Sequence, residues 1–394
     1  MLSVNTKYHM RYLGMQSLSH EQWLAVMGQS QYVDVSVDRY NNGPLVTLLE
    51  HRVSELFAKP NAMYFNKGTT CQLALMKAVC ESKKNNRVVV HPQSHIAQDE
   101  QDAYQALMGL EGVVLGGIGK PFDAADLYTL SNDVAVLVVE LPLRRAGFKL
   151  TPWDELLKMR QWCDEEGVHF HMDGARLWES APFYGKSFEA IAALFDSVYV
   201  SLYKGIGAVS GALLLGDDDL LSSCAVWRDR LGSNMWTAFP SLITALEGLD
   251  KNLPQIPDWV ERTKAISEVL IDFKMLVMDK PECNGFQIKL KAPLQQLNAE
   301  LLKCEQQFDM VLCKPFERLD DDWVFTEIQV VSHHAVNDVN EASAKEKSAK
   351  DKSTKDKSTK DKSTNEISDV EIEMFFAALL SAVESGDDVL EWSE

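Results

Sequence analysis

Two segments of this chain place charged side chains where an apolar run stops. In "VHFHMDGARLWES", residues 168 to 180, the run ends in Asp173, Gly174 and Arg176, so opposite charges meet at the edge of a core. Such a pair is either a structural ion pair or a place that holds a ligand. In "SVYVSLYKGIGAVSGALLLG", Lys204 follows an apolar strand and precedes Gly205, Gly207 and Gly211, and so projects from a strand end into a glycine-permitted turn. A lysine held partly out of water has a lowered pKa and can form a Schiff base with an aldehyde; in water it is an ordinary loop lysine. The glycine spacing does not make a dinucleotide loop, because "ALLLG" behind it is strand-like and too short for the helix that fingerprint requires.

Two further segments supply softer features. "FNKGTTCQLALMKAV" reads as a short strand, then Gly68, Thr69 and Thr70, then an apolar helix. Free N–H groups at a helix start, with hydroxyls beside them, suit one phosphate group; the alternative is a plain turn capped by Thr69. In "HPQSHIAQDE", His95 sits at another strand-to-helix junction, as a cap or as a flat aromatic face. Together the four segments offer an anion turn, an aromatic face, a carboxylate for a pyridine nitrogen and a lysine for an aldehyde. That is the set that pyridoxal phosphate (PLP) needs. Asp173 then keeps the pyridine nitrogen protonated.

These residues have to be brought together by strand ends. Through the first two thirds of the chain, strand-like runs ("AMYF", "RVVVH", "AVLVVEL", "VHFHM", "SVYVSLY") alternate with helical stretches from Thr69, His95 and Trp153. The runs are continuously apolar, as in a mostly parallel sheet covered on both faces. The fold class is α/β, and ligands of such sheets sit beyond the carboxyl ends of the strands.

An N-terminal arm is expected over 1–30 and a large domain over 31–251. A smaller α+β domain follows over 252–394, with a helix from Asp258 to Met278, the strand "FQIKLKA", a helix from Pro293, and "WVFTEIQVV" alternating as a strand with one wet face. Into it falls the repeat "KSAKDKSTKDKSTKDKST", within an insertion at about 338–366 that has too little apolar surface to order itself. After it, Ser368 caps a last helix.

The 394 residues carry a net charge of −19, which disfavours nucleic acid and anionic membranes as partners and favours a small molecule. Seven cysteines without a C-x-x-C pair read as reduced thiols, and no metal is expected. With no signal-like or membrane-spanning run, the expected compartment is the cytoplasm.

From about Tyr40 to Ala245 the sequence resembles the threonine aldolase branch of the β-eliminating lyases, PLP enzymes of fold type I. "HMDGAR" and "KGIG" carry the resemblance, with support from "KGTT", "SHIAQDE" and "WRDRLG". It implies Lys204 as the lysine joined to the cofactor, Asp173 at the pyridinium nitrogen and His95 stacked on the ring. It further implies Gly68 and Thr69 on the phosphate, and Arg176 near the ring hydroxyl and the substrate carboxylate.

The implied reaction cleaves a β-hydroxy-α-amino acid to glycine and an aldehyde, in a homodimer or homotetramer. Alternatives are β-elimination or racemisation of another amino acid, or PLP binding without turnover. On the substrate side the chain departs from the family. "RYLGMQSLSHEQW" replaces an R-S-D-T segment, Trp236 stands near the place of a phosphate-reaching arginine, and Leu143, Arg144 and Arg145 stand where a second histidine is usual. Arg144 and Arg145 are therefore candidates for the substrate carboxylate, and His95 or a water for the base.

Overall fold

The computed structural model describes residues 10–16, 18–130, 133–332 and 366–387. The repeat at 347–364, almost all of the insertion around it, and the first nine residues of the N-terminal arm lie outside the described residues. The chain divides into two compact units, one formed by residues 27–256 and one by residues 1–26 with 257–394.

The first unit is built on a seven-stranded sheet. In chain order its strands are β1 (Asn61–Phe65), β2 (Arg87–Val90), β3 (Glu111–Val114), β4 (Val136–Glu140), β5 (His169–Gly174), β6 (Ser197–Ser201) and β7 (Ala212–Gly216). In space the order is β1-β7-β6-β5-β4-β2-β3, and β7 alone runs antiparallel to its neighbours. Every residue of β4, β6 and β7 is buried, which is why these strands read as unbroken apolar runs. The α/β expectation stands.

Helices cover the sheet. Those used below are α1 (Pro44–Phe57), α2 (Gly68–Lys83), α3 (Trp153–Glu166) and α4 (Leu177–Tyr184). α3 ends at Gly167, whose φ of 66° is the left-handed conformation that closes a helix without a Cβ clash. The helix expected from His95 is instead two single turns, His95–Gln98 and Ala103–Ala106. Gln101 and Asp102 between them adopt φ of 53° and 54°, which no right-handed helix can pass through. Strand β3 went unread because "EGVV" has only two large apolar residues and lies half exposed at the sheet edge.

The second unit holds a four-stranded antiparallel sheet in the order Glu317–Arg318, Val324–Gln329, Gly285–Leu290, Val277–Met278. Helices Leu294–Phe308 and Asp369–Asp387 pack on each other. The last helix opens with a capping box: Glu371 N–H donates to Ser368 Oγ at 3.4 Å, and Ser368 N–H to Glu371 Oε2 at 2.9 Å. Two expectations are corrected here. The helix expected to reach Met278 stops at Leu270, and Val277–Met278 pairs into the sheet instead. Strand Val324–Gln329 lacks a clean wet face, since Glu327 is buried with its carboxylate on Lys314 Nζ at 2.6 Å. Among the described residues no helix is long and apolar enough to cross a membrane.

Candidate active site

Register places the site. Glu140 ends β4, Asp173 is next to last in β5, and the two pair in register; Asp173 in turn pairs with Tyr199 in the middle of β6. Beyond the carboxyl ends of these strands lies a cavity lined by Gly68, Thr69, Gln72, His95, Glu100, Asp173, Ala175, Tyr199, Tyr203 and Lys204. Five residues singled out from the sequence, Gly68, Thr69, His95, Asp173 and Lys204, thus share one cavity, and every lining residue belongs to the 27–256 unit.

Lys204 sits in the connection from β6 to β7, which is tied off from several sides. Leu202 N–H donates to Gly211 O at 3.1 Å, Ala208 N–H to Leu202 O at 2.8 Å, and Asn252 Nδ2 to Ile206 O at 2.8 Å. Gly205 is required there, because a Cβ would lie 2.4 Å from Glu179 Oε1. Desolvation, then the Arg176 charge, push the Lys204 ammonium down to about 8, with Asp173, Glu140 and Glu179 opposing.

The carboxylates respond in the other direction. Asp173 is 2% exposed, its Oδ1 accepts from Ala175 N at 3.1 Å, and burial raises its pKa. Glu140, one strand away, is pushed up to about 7 by burial and by the Asp173 charge beside it. Glu140 binds backbone, accepting from His95 N at 2.7 Å and Arg144 N at 3.3 Å.

The His95 ring is held by Glu100, at 3.0 Å from Nδ1, and this hydrogen bond is the main reason its pKa is raised. Gly68 opens α2 so close to Tyr199 that a Cβ would lie 2.1 Å from the phenol oxygen. The first intrahelical donor of α2 is Cys71 N, so the amides of Gly68, Thr69 and Thr70 precede the helical ladder.

The three arginines do not line the cavity. Arg176 caps the start of α4, its guanidinium 5.5 Å from the Phe148 ring centre and its buried Nε without a partner among the described residues. No ion pair joins it to Asp173 among those residues, so the structural pair that the sequence also allowed is not formed. Arg144 and Arg145 begin a 3-10 turn after β4, and Arg145 Nε lies 3.0 Å from Asp99 Oδ2.

Sequence reasoning missed Gln72, Glu100, Ala175, Tyr199 and Tyr203 as lining residues, and Glu140 as the clamp on His95. Gln72 lies one helical turn after Gly68, and Glu100 and Tyr203 fall inside segments already marked, so spacing alone brings them within reach.

The residues present fit pyridoxal phosphate. Asp173 is a buried carboxylate that forms no ion pair among the described residues, though the Lys204 and His95 charges act on it, and a pyridinium N–H would supply its partner; Glu100 Oε2 is buried without a partner among the described residues; and the cradle at Gly68 has no room for a side chain.

A family model described as beta-eliminating lyase matches residues 24–292. Aldolase vrtJ of Penicillium aethiopicum is 29% identical over 55% of this chain and 56% of its own length. The low specificity L-threonine aldolase of Escherichia coli K12 is 27% identical over 51% of this chain and 61% of its own. The chain thus spans little more than half the length of these curated relatives. Among solved structures, a Listeria monocytogenes protein provisionally assigned as an L-allo-threonine aldolase superposes with a TM-score of 0.79 at 28% identity, covering 86% of this chain and 95% of that one.

Proposed function

The chain belongs to the beta-eliminating lyase family, and from that premise we propose that it is a PLP-dependent lyase cleaving the Cα–Cβ bond of a β-hydroxy-α-amino acid. The products are glycine and an aldehyde. The observation that carries this reading is the convergence of Lys204, Asp173, His95, Gly68 and Thr69 on one cavity, with the Lys204 amine pushed down to about 8.

When bound, pyridoxal phosphate supplies an aldehyde and an electron-accepting ring. Lys204 holds the aldehyde: at neutral pH a lysine with a pKa near 8 keeps an appreciable neutral fraction with a free lone pair. Asp173 accepts from the ring nitrogen and keeps it protonated. His95 covers one ring face, and the amides of Gly68 and Thr69 receive the phosphate. None of the three arginines lines the cavity; the family resemblance alone assigns Arg176 to the substrate carboxylate and the ring hydroxyl, and Arg144 and Arg145 are candidates for that carboxylate only by standing where the family's second histidine is usual. The protein acts in the cytoplasm as a homodimer or homotetramer.

A second reading is β-elimination or racemisation of another amino acid, favoured by Leu143, Arg144 and Arg145 standing where the family's second histidine is usual. The test has two stages. The purified protein should absorb near the violet edge of the visible range, and borohydride should bleach that band and fix the cofactor on Lys204, as peptide mapping reads. A panel of amino acids assayed for glycine, aldehyde, pyruvate and ammonia then separates the reactions. Glycine with aldehyde supports the lyase; pyruvate with ammonia, or inversion alone, replaces it with the second reading; a colourless protein that cannot be reconstituted ends both.

A further inference from the structure

Glu100 is the polar group most committed to the cavity beyond those singled out from the sequence. Its side chain is 2% exposed and lines the cavity, and its Oε1 lies 3.0 Å from His95 Nδ1. A carboxylate oxygen only accepts, so Nδ1 carries the proton and the lone pair of neutral His95 is left on Nε2. The backbone of His95 is fixed separately, through Glu140 Oε2 at 2.7 Å. Nε2 has no partner among the described residues, and the side chain, which lines the cavity, keeps 38% exposure.

We propose that Glu100 is a positioning residue: it fixes the tautomer and orientation of His95 so that Nε2 takes the proton of the substrate β-hydroxyl. The inference rests on the aldolase reading above. In the step, the O–H bond breaks and an N–H bond forms on His95. The oxygen's electron pair becomes the second bond of the aldehyde carbonyl as Cα–Cβ breaks, and that bonding pair stays with Cα. The proton on His95 is finally delivered to Cα, giving glycine, and the imidazole returns neutral.

Other charges face His95. Asp99 lies on the same turn with Arg144 and Arg145 acting on it, Glu140 ends β4, Asp173 is next to last in β5, and Lys204 follows β6. Of these influences the Glu100 hydrogen bond is the largest in raising the basicity of His95; Asp173 adds to it, and burial and Lys204 oppose it.

The experiment compares the wild type with Glu100→Gln and Glu100→Asp. The His95 imidazole is titrated by NMR in cofactor-free protein, assigned with His95→Asn, and kcat and KM for aldehyde release are measured against pH in holoenzyme. Gln keeps an acceptor and loses the charge. The His95 midpoint should fall by about one pH unit, the acid limb of kcat should move down with it, and the plateau should drop about tenfold, with KM unchanged. Asp should restore part of the midpoint. An unchanged midpoint in Glu100→Gln, or a lowered midpoint with the wild-type kcat profile, overturns the proposal. A lowered midpoint in a protein whose wild type releases no aldehyde overturns the aldolase reading and the proton-transfer step, and leaves only the pairing.

Discussion

Gly68 and Lys204 show what a single position decides. A methyl group at residue 68 meets the Tyr199 phenol, which is 3% exposed and has nowhere to move. Gly68→Ala should therefore cost about 1–3 kcal/mol of stability and weaken PLP binding, read as a lower thermal midpoint and a weaker titration of the visible band. Retained affinity in that variant would remove the phosphate role of this turn. Lys204→Ala should bind PLP without any borohydride-stable adduct, and an adduct that persists would place the attachment elsewhere. Lys204, Asp173 and Gly68 were legible in the sequence because each follows an apolar run and precedes small residues, a local pattern. Glu140 was not: its importance comes from the strand beside it, and pairing between β4 and β5 is a non-local fact.

At the scale of elements, helix α1 is fastened to strand β1 by one carboxylate. Glu50 Oε1 accepts from Tyr64 N at 2.7 Å, and burial pushes the Glu50 carboxyl up to about 7. Its folded-state pKa lies above the ordinary value of 4.5, so between those two values the folded protein binds more protons than the unfolded chain. Stability from this group is thus full below the lower value and lost as pH rises through the upper one. Glu50→Gln keeps an acceptor and removes the slope. Its thermal midpoint should exceed that of the wild type at pH 8 by a few degrees, for an effect on the order of 1–2 kcal/mol, and should match it at pH 4. An equal difference at both pH values would mean that the carboxyl does not titrate in that window. Strand runs were easy to read here since both sheet faces are covered, whereas the helix broken at Gln101 and Asp102 was not, because Gln is rare in the left-handed region and Asp, though enriched there, is far more often right-handed or extended.

For the whole molecule, the alternation of strands and helices was enough to expect an α/β sheet with its site past the carboxyl ends, and the antiparallel β7 could not be read from an apolar run that has no direction. All lining residues fall within 27–256, so a ligand of the cavity stabilises that unit. PLP at a hundredfold excess over its dissociation constant should add about 2.7 kcal/mol to it, and calorimetry should show a cofactor-dependent shift of the transition that limited proteolysis assigns to residues 27–256. A shift confined to the other unit would contradict the site. The acids gathered at neighbouring strand ends, Glu140 and Asp173, have a further consequence. Without the pyridinium that Asp173 would face, these two acids are left with a mutual repulsion that grows as alkali strips the last protons, so shedding the vitamin and loosening the surrounding walls reinforce each other. A sample stripped at pH 9 should age faster than one stripped at pH 6.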